Sequence, residues 1–293
     1  MLTRGQRRTV ALIVGLPLLL QIGLVWLPAA ASVGLSFTSW NGVGGLSAIQ
    51  VVGLENYANL ATVDPSFWPA VLHNLVWLFV YLAVVMPLGM FLAVLLDREL
   101  RGGWLYESAL YLPLVLSFAL IGLIWELQYS PSDGLINGVL GTNHQGSIID
   151  WLGDRRLNLG AVIVASAWRH VGYVTLLYLA GLRSVDPTLR DQAAIDGATE
   201  AQAFWRVVFP ILRPINVVVV VVTAIEALRA FDVVYVINRG LNGLELLSVL
   251  VVNNLLGEAS RIGYGSAAAT LLLLASIIPI AIFIRWALGR DAL

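Results

Sequence analysis

The stretch DPTLRDQAAIDGATEAQAFWRVVFPILRP, from Asp186 to Pro214, decides how the chain is read. Asp186-Pro187 suits a helix start, since proline fits the first helical turn. Ala193, Ala194, Ile195 and Ala198 are compatible with helix, and Gly197 allows a break. Thr199 is placed to cap a second helix, with Gln202 three residues on at capping-box spacing. Phe204, Val207, Val208 and Ile211 then fall at helical spacing, and Pro210 and Pro214 mark the return to apolar sequence. The expectation is a helix, a glycine turn and a second short helix, with charged flanks and exposed small residues. Such a segment suits a docking knob; a plain amphipathic loop is the alternative reading.

Outward from this segment the chain is apolar. It is 59% hydrophobic and 12% charged, where a soluble domain carries about 25% charged residues. Its mean hydropathy is +0.84, so lipid is the expected solvent for much of the surface. A membrane helix needs about 20 mostly apolar residues. On that measure spans are predicted at 10–36, 69–95, 108–128, 160–182, 215–237 and 264–284, an all-α polytopic membrane protein. Glu126 closes the third span, and Arg169-His170 interrupts the fourth. The first apolar run, Val10 to Phe37, is longer than the roughly 7–15 residues of a signal-peptide core. Cleavage after Ala29-Ala30-Ala31 is the lesser alternative.

Arginine placement gives the orientation. With the N-terminus in the cytoplasm, eleven arginines fall inside (Arg4, Arg7, Arg8, Arg98, Arg101, Arg183, Arg190, Arg206, Arg213, Arg285, Arg290) and four outside (Arg155, Arg156, Arg239, Arg261). Both termini are therefore expected in the cytoplasm. Trp40, Phe67 and Trp68 edge the first outer connection, where aromatic belts sit. Short amphipathic pieces are expected near 135–140 and 147–152. No convincing internal repeat is visible, so an inverted-repeat secondary transporter gains no support.

Composition excludes several chemistries. The net charge of −1 argues against nucleic acid as a partner. There is no cysteine, hence no disulfide, thiolate metal site or thiol nucleophile. All 17 basic residues are arginine, so a P-loop lysine and a Schiff-base lysine are ruled out. ATP, if used, must bind another chain. His73, His144 and His170 lack metal-ligand spacing, and no metal site is expected.

Ionisable groups inside a span are costly and point to function by default. Glu226, Arg229 and Asp232 recur every three residues on the fifth span, a spacing that shares one helix face. They form either an internal salt-bridge ladder or a lining for a hydroxyl-rich substrate. Arg169 is expected to snorkel or to pair with Glu126, and His170 to pack as a satisfied core residue. Trp125 and Tyr173 are sugar-stacking candidates, with ordinary packing as the alternative.

The DQAAIDGA run, with Gln202, Phe204 and Phe209-Pro210, resembles the EAA signature of ABC importer permeases. Asp191 stands where that pattern has Glu, and Gln192 where it has the first Ala. Similarity extends to Ser36-Phe37-Thr38-Ser39-Trp40-Asn41-Gly42, Val52-Gly53-Leu54-Glu55-Asn56-Tyr57, Phe67-Trp68-Pro69-Ala70-Val71 with Asn74, Ala230-Phe231-Asp232-Val233-Val234-Tyr235-Val236 and Gly263-Tyr264-Gly265-Ser266-Ala267. Together these are similar to the maltose-type sugar branch, in particular its first permease. The loop Asn238-Arg239-Gly240-Leu241-Asn242-Gly243 departs from that branch in having no proline.

The resemblance implies a type I importer permease fold. It makes residues 1–293 one transmembrane permease domain, with residues 185–214 as its cytoplasmic coupling segment. Asp191, Gln192, Ala193, Asp196, Gly197, Ala198, Phe204 and Pro210 are then the ATPase-coupling residues. The implied partners are a second homologous permease, ATPase subunits and an extracytoplasmic binding protein. The implied setting is a bacterial-type cell membrane. This chain binds no cofactor and is not an enzyme; ATP and magnesium sit on the ATPase. The implied substrate is a mono- or oligosaccharide, with a sugar phosphate the lesser possibility. A stand-alone proton-driven transporter, with Glu226, Asp232 and His170 as relay, is the alternative.

Overall fold

The computed structural model describes residues 4–98, 101–142, 148–257 and 260–289; Arg290, His144 and residue 147 of the second amphipathic piece lie outside them. Among the described residues the chain is helical, apart from one isolated bridge between Thr38 and Val51. Helix is the only open-ended solution in hydrocarbon, because it satisfies its backbone groups within the segment.

Four helices are long and apolar enough to cross a membrane: Leu12–Leu35, Phe67–Leu96, Asn158–Arg183 and Ile262–Ala287. Two bent pairs complete the expected six. The third span is Gly103–Val115 followed by Phe118–Gln128, bent by 105°. The fifth is Glu200–Ile211 followed by Arg213–Asn238, bent by 75°. The sequence shows one straight third span where the structure has two helices. The bend falls at Leu116-Ser117, both in extended conformation, and Ser117 Oγ accepts the Leu120 amide at 3.2 Å to cap the second helix. The fourth span is not interrupted at Arg169-His170; it is one helix of 26 residues.

Three prolines shape the helices in the same way. A helical proline lacks an N–H and its ring collides with the carbonyl four residues back. Pro28, Pro87 and Pro210 each follow a five-residue π-helical turn, at Ile22–Trp26, Tyr81–Val85 and Phe204–Val208. The opposing carbonyls, on Leu24, Ala83 and Arg206, all lie within those widened turns. The π turn moves the carbonyl out of the ring's way without ending the helix.

The chain forms two compact units. One comprises the described residues up to Phe67 with Leu250–Leu274. Its apolar window in Leu12–Leu35 buries nothing against the chain; Leu12 and Leu24 are 71% and 72% exposed. The connection after that helix is fixed by Asn56, whose amide donates to the carbonyls of Ser36 and Thr38 at 2.9 and 2.8 Å. Tyr264 donates to Asp64 Oδ2 at 3.0 Å.

The other unit runs from Trp68 to Val249 and adds the chain from Ala275 on. Its core has two clusters. One gathers Trp77, Tyr81, Ile121, Val162, Ala227 and Val234; the other gathers Ala93, Val174, Tyr178, Leu182, Val208 and Leu212. Between membrane helices there is little hydrophobic drive, so close packing by small residues and hydrogen bonds must hold them. Gly89 shows this: a Cβ there would lie 2.5 Å from Val174 Cγ1. Tyr81 donates to Ser166 at 2.7 Å, and His170 Nε2 meets Thr223 Oγ1 at 3.0 Å.

Candidate functional site

The fifth span is not continuous. Helix Arg213–Leu228 ends with Arg229 as its C-cap, Ala230 and Phe231 leave helical geometry, and Asp232–Asn238 restarts the helix. No glycine or proline lies at the break. Side chains from elsewhere sustain it. Asn74 Nδ2 donates to the Leu228 carbonyl at 3.2 Å, and Ser248 Oγ donates to the Ala230 carbonyl. Asn74 Oδ1 also accepts the Leu247 amide at 2.9 Å. Irregular backbone at membrane depth survives only where its polar groups are satisfied or line a cavity.

Both conditions hold. A narrow cleft of about 20 Å³ opens at the break, lined by Trp77, Ser166, Glu226, Arg229 and Asp232 among others. A second space of about 420 Å³ shares Phe118, Phe231 and Asp232 with it and adds Arg169 and Tyr235. Four charged side chains therefore line these two neighbouring spaces.

No ion pair among the described residues joins any two of Arg169, Glu226, Arg229 and Asp232, so the salt-bridge ladder is not formed. The break separates Asp232 from Glu226 and Arg229, removing the common helix face that a spacing of three supplies. Arg229 instead sits at the C-terminal end of one helix and Asp232 in the first turn of the next. Each charge has the sign that its helix end favours, worth about 0.3–1 kcal/mol. Arg169 does not pair with the exposed Glu126; its guanidinium lies 4.1 Å from the Phe118 ring centroid, and its buried Nε has no protein partner.

Of the residues singled out from sequence, Arg169, Glu226, Arg229 and Asp232 come together. Trp125 and Tyr173 line neither space. Trp125 packs on Tyr129 and Trp168 with ring centroids 5.3 and 6.0 Å apart, and Tyr173 lies 5.9 Å from His170. Sequence reading missed the parts played by Trp77, Ser166, Phe118 and Ser248. It also missed the short apolar helix Leu247–Leu256 that carries Ser248. Asn74 had a signal, an amide within an apolar run, but nothing local names its partners. Among the described residues no cluster of three His, Asp or Glu side chains could hold a metal ion.

The segment after the fourth span folds as its sequence predicts. Asp186 caps helix Pro187–Ile195 by accepting the Thr188 amide at 2.9 Å. That bond holds the Asp186 carboxyl below its ordinary pKa. The helix closes on Gly197 at φ +80°. Ala198 N donates to Ala193 O at 2.9 Å and Gly197 N to Ala194 O at 3.1 Å, the paired bonds of a Schellman C-cap. Thr199 and Gln202 then form a reciprocal capping box.

Asp191, Gln192, Asp196, Gly197 and Pro210 are exposed, Ala193 is buried, and Ala198 and Phe204 are half-buried. Ile195 is 85% exposed and Trp205 55%. Trp205 packs on the rings of Phe204 and Phe209, with centroids 5.1 and 5.0 Å away.

Three ion pairs frame this end of the unit: Arg190–Asp97 at 2.6 Å, Arg98–Glu200 at 2.7 Å and Arg183–Glu107 at 2.5 Å. Exposed pairs contribute about 0–1 kcal/mol, which describes Arg98–Glu200, 58% and 83% exposed. Asp97 is only 12% exposed and Arg190 39%, so theirs is the stronger link.

A family model described as binding-protein-dependent transport system inner membrane component matches residues 8–290 of this chain. A probable ABC transporter permease protein of Pyrococcus horikoshii is 31% identical over 277 residues, 92% of this chain and 93% of the relative. The xylose/arabinose import permease protein of Haloferax volcanii is 32% identical over 269 residues, 90% of this chain and 83% of the relative. Among solved structures, a bacterial alginate ABC transporter in complex with alginate pentasaccharide-bound periplasmic protein has a similar fold, with TM-score 0.80 at 19% identity, covering 94% of this chain and 93% of that one.

Proposed function

Since this chain belongs to the binding-protein-dependent transport system inner membrane components, and is thus a membrane-embedded transport permease, we propose that it passes a sugar through the cleft at the fifth-span break. The observation that carries the proposal is the set of Glu226, Arg229 and Asp232 around that cleft, with Arg169 in the neighbouring space, none of them in an ion pair among the described residues. Carboxylates accept from sugar hydroxyls, and guanidinium groups donate to them. Broken helices at membrane depth are where transporters build such sites. The xylose/arabinose relative supports a saccharide substrate.

The exposed segment 185–214 is proposed to dock an ATPase subunit, which carries the ATP and magnesium. Asp191, Gln192, Asp196 and Gly197 then face the partner. Ala193, Ala198 and Phe204 tie the segment back to the unit, and Pro210 sets the helix that re-enters the membrane. A second, homologous permease completes the path. It covers apolar surface that this chain leaves bare. A binding protein delivers sugar at the face carrying Arg155, Arg239 and Arg261, and both termini lie on the ATPase side. ATP closes the ATPases, the docked segments follow, and the cleft exchanges one side of the membrane for the other. A proton-driven carrier needs neither a binding protein nor an exposed docking segment.

The test is purification through a tag on this chain, followed by reconstitution. An ATPase and a second permease should co-purify. Uptake of a labelled neutral sugar should require ATP on the tag side and binding protein on the other. Glu226→Gln and Asp232→Asn should each lower uptake by about tenfold, the effect of one lost charged hydrogen bond of ~1.4 kcal/mol. Uptake driven by a proton gradient without ATP would overturn the proposal.

A further inference from the structure

The second span, Phe67–Leu96, touches every part of the proposed machine. At its inner end Asp97 holds Arg190 of the docking segment at 2.6 Å. Midway, Trp77 lines the cleft. Near its outer end Asn74 holds the Leu228 carbonyl at the break. Behind the docking segment lies open space of about 480 Å³, bounded by Val94 and Asp97 on one side and Ala194 and Ala198 on the other. Apolar contacts of Leu189, Phe204 and Val208 close its base. The two ion pairs bridge its rim, and only Asp97–Arg190 is sheltered enough to resist screening by salt.

We infer that Asp97 and Arg190 are positioning residues that make the second span a push rod, carrying motion of the docking segment to the Asn74-held break and the cleft. This rests on the proposal that the segment docks an ATPase. Two neighbouring observations give the rod stiffness and reach. Gly89 lets it pack without a gap on the fourth span at Val174. Its one irregularity, the π turn Tyr81–Val85, lies between the ion pair and Trp77, where a helix is able to change its winding. Fifth-span motion reaches the cleft through Arg213–Leu228, but that helix is separated from the docking helices by a 75° bend at Leu212, so a second connection is needed to fix the break relative to the segment.

The chain has no cysteine, so spin labels go where they are placed. In the full complex in nanodiscs, one pair, Ala201→Cys with Val164→Cys, reads the docking segment. A second pair, Phe79→Cys with Val236→Cys, reads the cleft. Distances are measured without nucleotide and after trapping with ATP and vanadate. In the otherwise native chain both distance distributions should shift. With Asp97→Arg or Arg190→Asp the first pair should still shift and the second should not. The double exchange, Asp97→Arg with Arg190→Asp, should restore the second shift. The neutral Asp97→Asn gives the same reading if a reversal fails to assemble. A cleft shift that survives the single changes, or a double exchange that restores nothing, overturns the inference. If the first pair never shifts in the native chain, it is the docking proposal that fails.

Discussion

The amide of Asn74 holds the carbonyl of Leu228 at 3.2 Å, across 154 residues of sequence. That carbonyl is free because helix Arg213–Leu228 ends there, and the same side chain takes the Leu247 amide that opens Leu247–Leu256. One buried amide thus satisfies two helix ends. Without it, the break would leave polar backbone groups facing hydrocarbon.

Replacing Asn74 with the near-isosteric Leu strands both groups. A buried polar group left unsatisfied costs about 1–3 kcal/mol. The expected result is a lower thermal midpoint for the purified complex and a fall in sugar uptake. Asn74→Asp keeps the acceptor for Leu247 but loses the donor to Leu228, and should fall between. A midpoint unchanged by Asn74→Leu would show that the break is held by something else.

Arg229 behaves differently from a buried ion-pair member. Removing one partner of a buried pair costs about 3–5 kcal/mol, but Arg229 is exposed and joins no ion pair among the described residues. Arg229→Ala should therefore leave stability within about 0.5 kcal/mol while lowering uptake. Thermal scanning and uptake on one preparation separate the two. A large stability loss with normal uptake would return Arg229 to a structural role.

What the sequence could show follows from how local each feature is. Six apolar runs and their arginine flanks depend on residues next to one another, and the structure has helices over all six. The Asp186 cap, the Gly197 turn and the Thr199–Gln202 box are each contained within six residues, and each formed. The break at Arg229–Phe231 was not legible. Its residues contain no breaker, and Asn74 and Ser248 come from distant chain. The same gap misled the placing of Asp232 with Glu226 and Arg229, since their spacing implies a common face only on an unbroken helix. The bend at Leu116-Ser117 had a local cue in Ser117, hidden inside apolar sequence.

Helix Pro187–Ile195 should loosen in acid. Asp186 has its carboxyl pKa lowered by the Thr188 amide. A lowered folded pKa stabilises above the unfolded value, and that contribution is lost as pH falls through the folded one. Hydrogen exchange at Thr188 and Leu189 should therefore quicken as pH drops below the ordinary Asp range near 3.9, beyond the intrinsic pH effect. Asp186→Asn keeps an acceptor without a titrating proton and should remove that extra dependence. Equal profiles for the two proteins would show that the cap does not govern the helix.

Gly197 gives the most direct test of docking. It sits at φ +80°, and a Cβ built there meets nothing within 4 Å. In this chain alone, substitution is opposed only by the left-handed backbone, at roughly 1–2 kcal/mol, and asparagine tolerates that conformation well. Size is not opposed at all, so sensitivity to size must come from a partner pressed against the turn. Gly197→Asn should then preserve the Schellman bonds from Ala198 to Ala193 and still uncouple the complex. Gly197→Asp should do so more strongly, having poorer backbone tolerance and added charge. Sugar-stimulated ATP hydrolysis and uptake should fall together, while the permease still inserts, since Gly197 lies outside every span. The measurement is ATPase activity of reconstituted complex with and without sugar-loaded binding protein. Normal stimulation with Gly197→Asn would mean that nothing docks closely on this turn, and the coupling role of residues 185–214 would lose its support.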